Sequence, residues 1–378
     1  MSTLGKALET RHRLSEYNLY HEGEKNICIT PFLQLEKEPG YNKRRHRYQA
    51  EEYAHIHYGS DELNSYFVHT PVIAFRDPPR TLRRGSKKQA KPICILNCSS
   101  FWTKWTLQFG DNLEDVLDPR GVVKWEHRSN ANNGTAGDDR ALKGYRLRSW
   151  RLWGESGREY YHSVNSRRKA IESAAREKQA NGAPEKDTAH GTSSATSTEP
   201  ELQPVIAEEA VRLTWEAPIS TNTRRYCFEY AGISFFWEGT KDLNANEKWS
   251  KRLMPFNHLK LVAKLPAQDE DVMFLGQYTS SFGSKKSGQL RLFDSVISSL
   301  LDKSRNRFLR MRQVTPGGNR RYDPGLDIRE TRLYEIIMGT AICMVIGEWE
   351  KRMVVFCVLM LIAASGDMAN GFGGGGGA

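Results

Sequence analysis

The residues best placed to do chemistry in this chain are cations, gathered into three runs that contain no acid. Residues 80–91 carry Arg80, Arg83, Arg84, Lys87, Lys88 and Lys91. Residues 140–151 carry Arg140, Lys143, Arg146, Arg148 and Arg151, and residues 305–321 carry Arg305, Arg307, Arg310, Arg312, Arg320 and Arg321. Guanidinium and ammonium groups clustered on loops attract phosphate, whether it belongs to a lipid head group or to nucleic acid. The same runs also occur as solvated loops that keep a basic protein dispersed. Gly283-Ser-Lys-Lys-Ser-Gly288 has the glycine spacing of a phosphate loop, but Gln289 and Leu290 stand where that loop needs Lys and Ser or Thr. A hairpin turn is expected there instead, with Lys285 and Lys286 at its tip facing an anionic surface. The candidate anion or lipid contacts are therefore Arg83, Arg84, Lys87, Lys88, Lys285, Lys286, Arg320 and Arg321.

Other chemistries find less to work with. His55 and His57 would share a face of a strand near Glu51, Glu52 and His69, but no metal-ligand spacing is met, and surface histidines are the expected reading. Cys94 and Cys98 have no second pair downstream, which suits buried strand cysteines better than zinc. No Gly-x-Ser-x-Gly, His-Glu-x-x-His or Cys/His nucleophile context is present. Neither an enzyme nor a bound cofactor or metal is expected. Nucleic acid is disfavoured as a partner because no RRM, KH or helix-turn-helix signature accompanies the basic runs.

The 378 residues suffice for one large domain or two ordinary ones, and 39% hydrophobic with 26% charged residues excludes a fully disordered, fibrous or polytopic membrane chain. A formal net charge of +10 favours anionic partners. The six scattered cysteines, and an N-terminus without the apolar stretch of a signal peptide, lead to the expectation of an intracellular, cytoplasmic protein with reduced thiols.

The elements that must position these groups are mostly strands. Residues 1–65 read as a polar, irregular extension. From Tyr66 onward come short aromatic-rich runs at 66–75, 92–97, 101–109, 122–126 and 145–153. Residues 166–204 lack apolar anchors and read as a disordered insertion. Strands resume at 211–217, at 226–237 as a hairpin about Ala231-Gly232, and at 259–265, 272–279 and 289–293, followed by a helix from Asp294. About five strands before the insertion and about six after it are in reach of one closed barrel. Residues 336–347 carry no charge over 12 positions, and residues 353–364 form a second such run, followed by a glycine-rich tail to residue 378. Twelve helical residues cover about 18 Å, near the depth of a small barrel and short of the roughly 20 residues a membrane span needs. The first run is expected as a buried core helix. The second has three candidate places: docked on a sheet, lying in a membrane interface, or acting as a tail anchor.

This order of strands ending in a wholly apolar helix resembles the tubby C-terminal-like superfamily, which includes tubby-like proteins, phospholipid scramblases and LURP-one-related proteins. The likeness rests on Tyr226-Cys-Phe-Glu-Tyr-Ala-Gly-Ile-Ser-Phe-Phe-Trp-Glu-Gly239, Leu259-Lys-Leu-Val-Ala-Lys-Leu265, Phe274-Leu-Gly-Gln-Tyr-Thr-Ser280 and Ser287-Gly-Gln-Leu-Arg-Leu-Phe-Asp294. The resemblance implies a mainly β (α+β) fold: a closed antiparallel β-barrel of about 12 strands around a central hydrophobic C-terminal helix. Residues 66–165 would supply its first half and residues 205–352 its second, with 336–347 as the central helix. It also implies a binding module for phosphoinositide or another anionic membrane lipid, associated peripherally with membrane. A membrane-tethered adaptor for a protein partner is the alternative.

Overall fold

The structure is a computed structural model that describes residues 14–23, 25–39, 64–71, 79–99, 103–118, 121–124, 139–142, 206–216, 224–240, 258–265, 272–281, 285–308 and 327–371, with single positions between 162 and 176. Twelve strands alternate direction along the chain. They are β1 (Leu14–Glu22), β2 (Asn26–Thr30), β3 (Tyr66–His69), β4 (Arg80–Arg84), β5 (Lys91–Cys98), β6 (Lys104–Phe109), β7 (Glu209–Glu216), β8 (Arg225–Tyr230), β9 (Ile233–Thr240), β10 (His258–Lys264), β11 (Val272–Ser280) and β12 (Lys286–Phe293). Each pairs antiparallel with its chain neighbours, and β12 returns to β1 in the register Tyr17↔Leu290, so the sheet closes into a barrel without free edges.

Period-two patterning explains the strands. Trp105, Leu107 and Phe109 of β6, Leu213 of β7, Phe235 and Trp237 of β9, and Leu290 and Leu292 of β12 are all buried in one hydrophobic cluster. The β8–β9 hairpin turns through Ala231 (φ 53°) and Gly232 (φ 69°), the two left-handed positions of a type I′ turn, whose twist matches that of the flanking strands. A second, smaller cluster covers the outer face of β5. There Ile95 packs with Leu113 and Val116 of the short helix α1 (Leu113–Val116) and with Leu117, Val123, Leu142 and Ala207.

Two longer helices follow the strands. α2 (Asp294–Lys303) begins where the sequence places a helix start, and its Ile297, Leu300 and Leu301 are buried. α3 (Arg332–Gly371) contains both apolar runs in a single helix. Ile336, Ile337, Met338, Ala341, Ile342, Cys343, Met344, Val345 and Ile346 belong to the same hydrophobic cluster as the strands. Its contacts travel from one end of the strands to the other. A Cβ on Gly339 would lie 2.7 Å from Leu107 Cδ2, so the helix backbone packs closely on a side chain of β6. Beyond Lys351 the character changes: Met353, Val354, Val358, Met360 and Leu361 are exposed. Among the described residues, no helix is long and apolar enough to cross a membrane.

Several expectations need correction. Residues 14–30, assigned to a polar extension, form β1 and β2 and complete the barrel. Residues 122–124 form only an isolated bridge, Leu117↔Val123, rather than a barrel strand. Cys94 is buried as expected of a strand cysteine, whereas Cys98, at the end of β5, is exposed. The proposed strand at 145–153, most of the insertion at 166–204, His55 and His57 lie outside the described residues.

Candidate functional site

Charged side chains concentrate at the two ends of the strands, where α3 enters and leaves the hydrophobic cluster. At the entry end, Arg332 donates from Nη1 to Glu335 Oε2 (2.6 Å) and from Nη2 to Glu208 Oε2 (3.2 Å), and its Nε lies 3.4 Å from Glu209 Oε2. The guanidinium also sits over the Phe109 ring, 5.3 Å from its centroid. Burial alone would lower the Arg332 pKa, but the three carboxylates outweigh it and hold it above the ordinary value. Arg84 donates to the Arg329 carbonyl (2.9 Å) and to Glu335 Oε1 (3.2 Å). Ser15 Oγ donates to Asp294 Oδ2 (2.6 Å) and accepts from Arg329 Nε (3.1 Å). The Tyr17 and Tyr334 hydroxyls share a 3.0 Å hydrogen bond.

At the exit end, Glu348 is the hub. Tyr226 donates its hydroxyl to Glu348, Lys351 Nζ donates over 2.9 Å, and Arg224 Nη1 lies 2.7 Å away. The Lys351 ammonium also lies over the Trp215 ring, which stacks on Tyr226 at 5.9 Å. Arg80 pairs with Glu350, and the Trp349 ring lies 5.5 Å from His21. Burial by itself would raise the Glu348 pKa; Lys351, Arg224 and the donated hydrogen bonds reverse that and hold it below the ordinary 4.5. A depressed carboxylate stabilises the fold above its unfolded pKa, and that stability is lost as pH falls through the folded value. Glu348→Gln should therefore cost about 3 kcal/mol at pH 7. The gap in thermal midpoint between wild type and variant should close as the pH is lowered below the ordinary carboxylate value of 4.5, measured by circular dichroism melts. A gap that stays constant would show that Glu348 does not act through its charge.

These networks hold the two ends of the fold together and engage several of the basic side chains. Of the eight sequence candidates, three are committed internally. Arg83 is buried and donates to the Ala90 carbonyl (2.9 Å), Arg84 serves Glu335, and Lys286 donates to Glu38 Oε1 (2.6 Å). The reason is local. Residues 80–84 are a strand rather than a loop, and β12 begins at Lys286, so that residue sits in the sheet and not at a hairpin tip. Lys87 and Lys88 are exposed in the turn after β4, at the entry end, and Lys285 is exposed just before β12, at the exit end. Arg320 and Arg321 lie outside the described residues. Among the described candidates, the structure thus places the exposed lysines at opposite ends, Lys87 and Lys88 at one and Lys285 at the other, instead of joining them in one site.

The sequence did carry a signal for the residues that were missed. Arg332 with Glu335, and Glu348 with Lys351, are i,i+3 ion pairs that bracket the uncharged run 336–347. Among the described residues, no group of three or more His, Cys, Asp or Glu side chains is arranged to hold a metal ion.

No family model, curated protein or solved structure matches the chain. A closed barrel of twelve strands does not by itself name a family, because one architecture hosts many functions.

Proposed function

We propose that this chain is a non-enzymatic binding barrel of the tubby C-terminal-like type, and that its ligand is the anionic head group of a membrane lipid, phosphoinositide being the class the resemblance suggests. In this reading α3 is the central helix, running along the barrel axis over residues 336–347. One observation carries the mode of binding. The strand and helix side chains belong to one hydrophobic cluster, with Gly339 of α3 packed so close to Leu107 of β6 that the leucine side chain would have to shift to admit a methyl group. A core built from these apolar side chains favours recognition on the outside, where Lys87, Lys88 and Lys285 are exposed.

Flotation of the full chain with vesicles tests this reading, comparing neutral phosphatidylcholine with the same lipid containing phosphoinositide. Each exposed lysine near an anionic surface contributes about 1 kcal/mol at low salt. Enrichment on the anionic vesicles of about tenfold or more is expected, falling as salt is raised. Lys87→Glu/Lys88→Glu and Lys285→Glu would show which end of the barrel carries the contact. Equal flotation on both vesicle types would overturn the head-group reading, and a mobility shift with oligonucleotide at low salt would move the weight to nucleic acid.

A further inference from the structure

We infer that the exit end of the barrel faces a lipid bilayer and that residues 353–364 of α3 enter its acyl layer; this rests on the lipid-binding reading above and adds to it the orientation and a second, apolar contact. The sequence left three places open for this segment, and the structure narrows them. Met353, Val354, Val358, Met360 and Leu361 are exposed, with Leu361 at 70%, so the described side chains are not docked on the sheet. They continue, without a break in the helix, from residues that are fully buried. The direction in which the segment leaves the barrel is therefore fixed by the packed half of the same helix.

Lipid, rather than a protein groove, suits this segment because it has no polar side. Residues 353–364 are Met, Val, Val, Phe, Cys, Val, Leu, Met, Leu, Ile, Ala and Ala, with no charge at any angle around the helix. A groove covers one face of a helix and leaves the other in water, whereas acyl chains cover all of it. At a rise of 1.5 Å per residue the run covers about 18 Å, against about 30 Å for a whole hydrocarbon layer, so it reaches into one leaflet.

The collar around the exit fits a membrane surface. Trp349 is 40% exposed and stands one turn before Met353, where an indole settles at the head-group level. Lys351 and Arg352 immediately precede the run. Lys25 before β2, Lys104 at the start of β6 and Lys285 before β12 are exposed at this same end, together with the carboxylates Glu36 and Glu216. Lys285 is tied to the exit end because its carbonyl accepts from the His21 backbone N–H at 2.8 Å. Lys87 and Lys88, at the entry end, would then point away from the lipid.

The exposed thiol of Cys357 provides the probe. A polarity-sensitive fluorophore on Cys357 of the full chain carrying Cys98→Ser and Cys227→Ser is mixed with vesicles of phosphatidylcholine, with and without phosphatidylserine and phosphoinositide. The expected result is a blue shift on binding and quenching by lipids that carry a nitroxide in the acyl chain. A label at Lys88→Cys in a Cys357→Ser chain should stay in water. Val358→Asp/Leu361→Asp, both at exposed positions, should leave the melting curve unchanged and lower vesicle partition at least about a hundredfold. Salt-sensitive binding with the Cys357 label still in water would overturn the insertion and leave the head-group reading standing. A buried label with salt-independent binding to neutral vesicles would support insertion and overturn the head-group reading. Absence of binding to every vesicle would overturn both, and a Cys357 label already buried without vesicles would assign the segment to a second copy of the chain.

Discussion

Ile342→Asp should abolish the folded barrel, whereas Val358→Asp, further along the same helix, should leave its thermal midpoint nearly unchanged. Ile342 is 0% exposed and sits among strand side chains in the main hydrophobic cluster, while Val358 is 48% exposed. Removing the isoleucine forfeits about 1.5–3 kcal/mol of burial, and the carboxylate that replaces it must either be desolvated unpaired or take up a proton at further cost. A domain typically holds only about 5–15 kcal/mol of stability in total, so the two losses together consume most of it. A surface substitution such as Val358→Asp is worth about 0.5 kcal/mol or less. Circular dichroism melts, with near-ultraviolet spectra that follow the buried Trp105 and Trp237, give the comparison directly. Similar tolerance at both positions would show that α3 is not part of the core and would remove the central-helix reading with it.

What could be read locally was the alternation of apolar side chains. The β8–β9 hairpin is visible as two aromatic runs about Ala231-Gly232, and β6 as Trp105, Leu107 and Phe109 at every second position. β1 was not visible for the opposite reason: its polar residues are satisfied by partners far away in sequence. Ser15 is buried because Asp294, far along the chain, accepts from it. On paper such residues lower the apolar count of a strand; in the fold they are paired polar groups at the seam where β1 meets β12. The basic run at 80–91 misled in a related way. Arg80 and Arg84 look like loop cations until α3 brings Glu350 and Glu335 to them, and Arg83 is held by the Ala90 carbonyl in the turn that follows β4. Cations whose partners are distant in sequence cannot be told from others by composition; among the described candidates, Lys87, Lys88 and Lys285 are the exposed ones.

Arg332→Ala should be the most damaging of the charge removals. The side chain is 5% exposed, and its guanidinium faces Glu335, Glu208 and Glu209. Removing one member of a buried ion pair costs about 3–5 kcal/mol, because the remaining charges are left desolvated without their counter-ion. Here Arg84 stays beside Glu335, 3.2 Å away, but Glu208 and Glu209 lose the cation that joins β7 to the first turn of α3. The contact with the Phe109 ring is lost as well, and the space left against it is not filled by alanine. Arg332→Lys separates the two parts of the role. A lysine restores one charge but cannot direct its donors at three carboxylates in the plane of a guanidinium, so it should recover no more than about half of the loss. Chemical denaturation of the three chains gives the ordering wild type, Arg332→Lys, Arg332→Ala. If Arg332→Ala proved as stable as wild type, α3 would be held by its apolar face alone, and the ion pairs that bracket residues 336–347 would lose their part in fixing how far the helix slides along the strands.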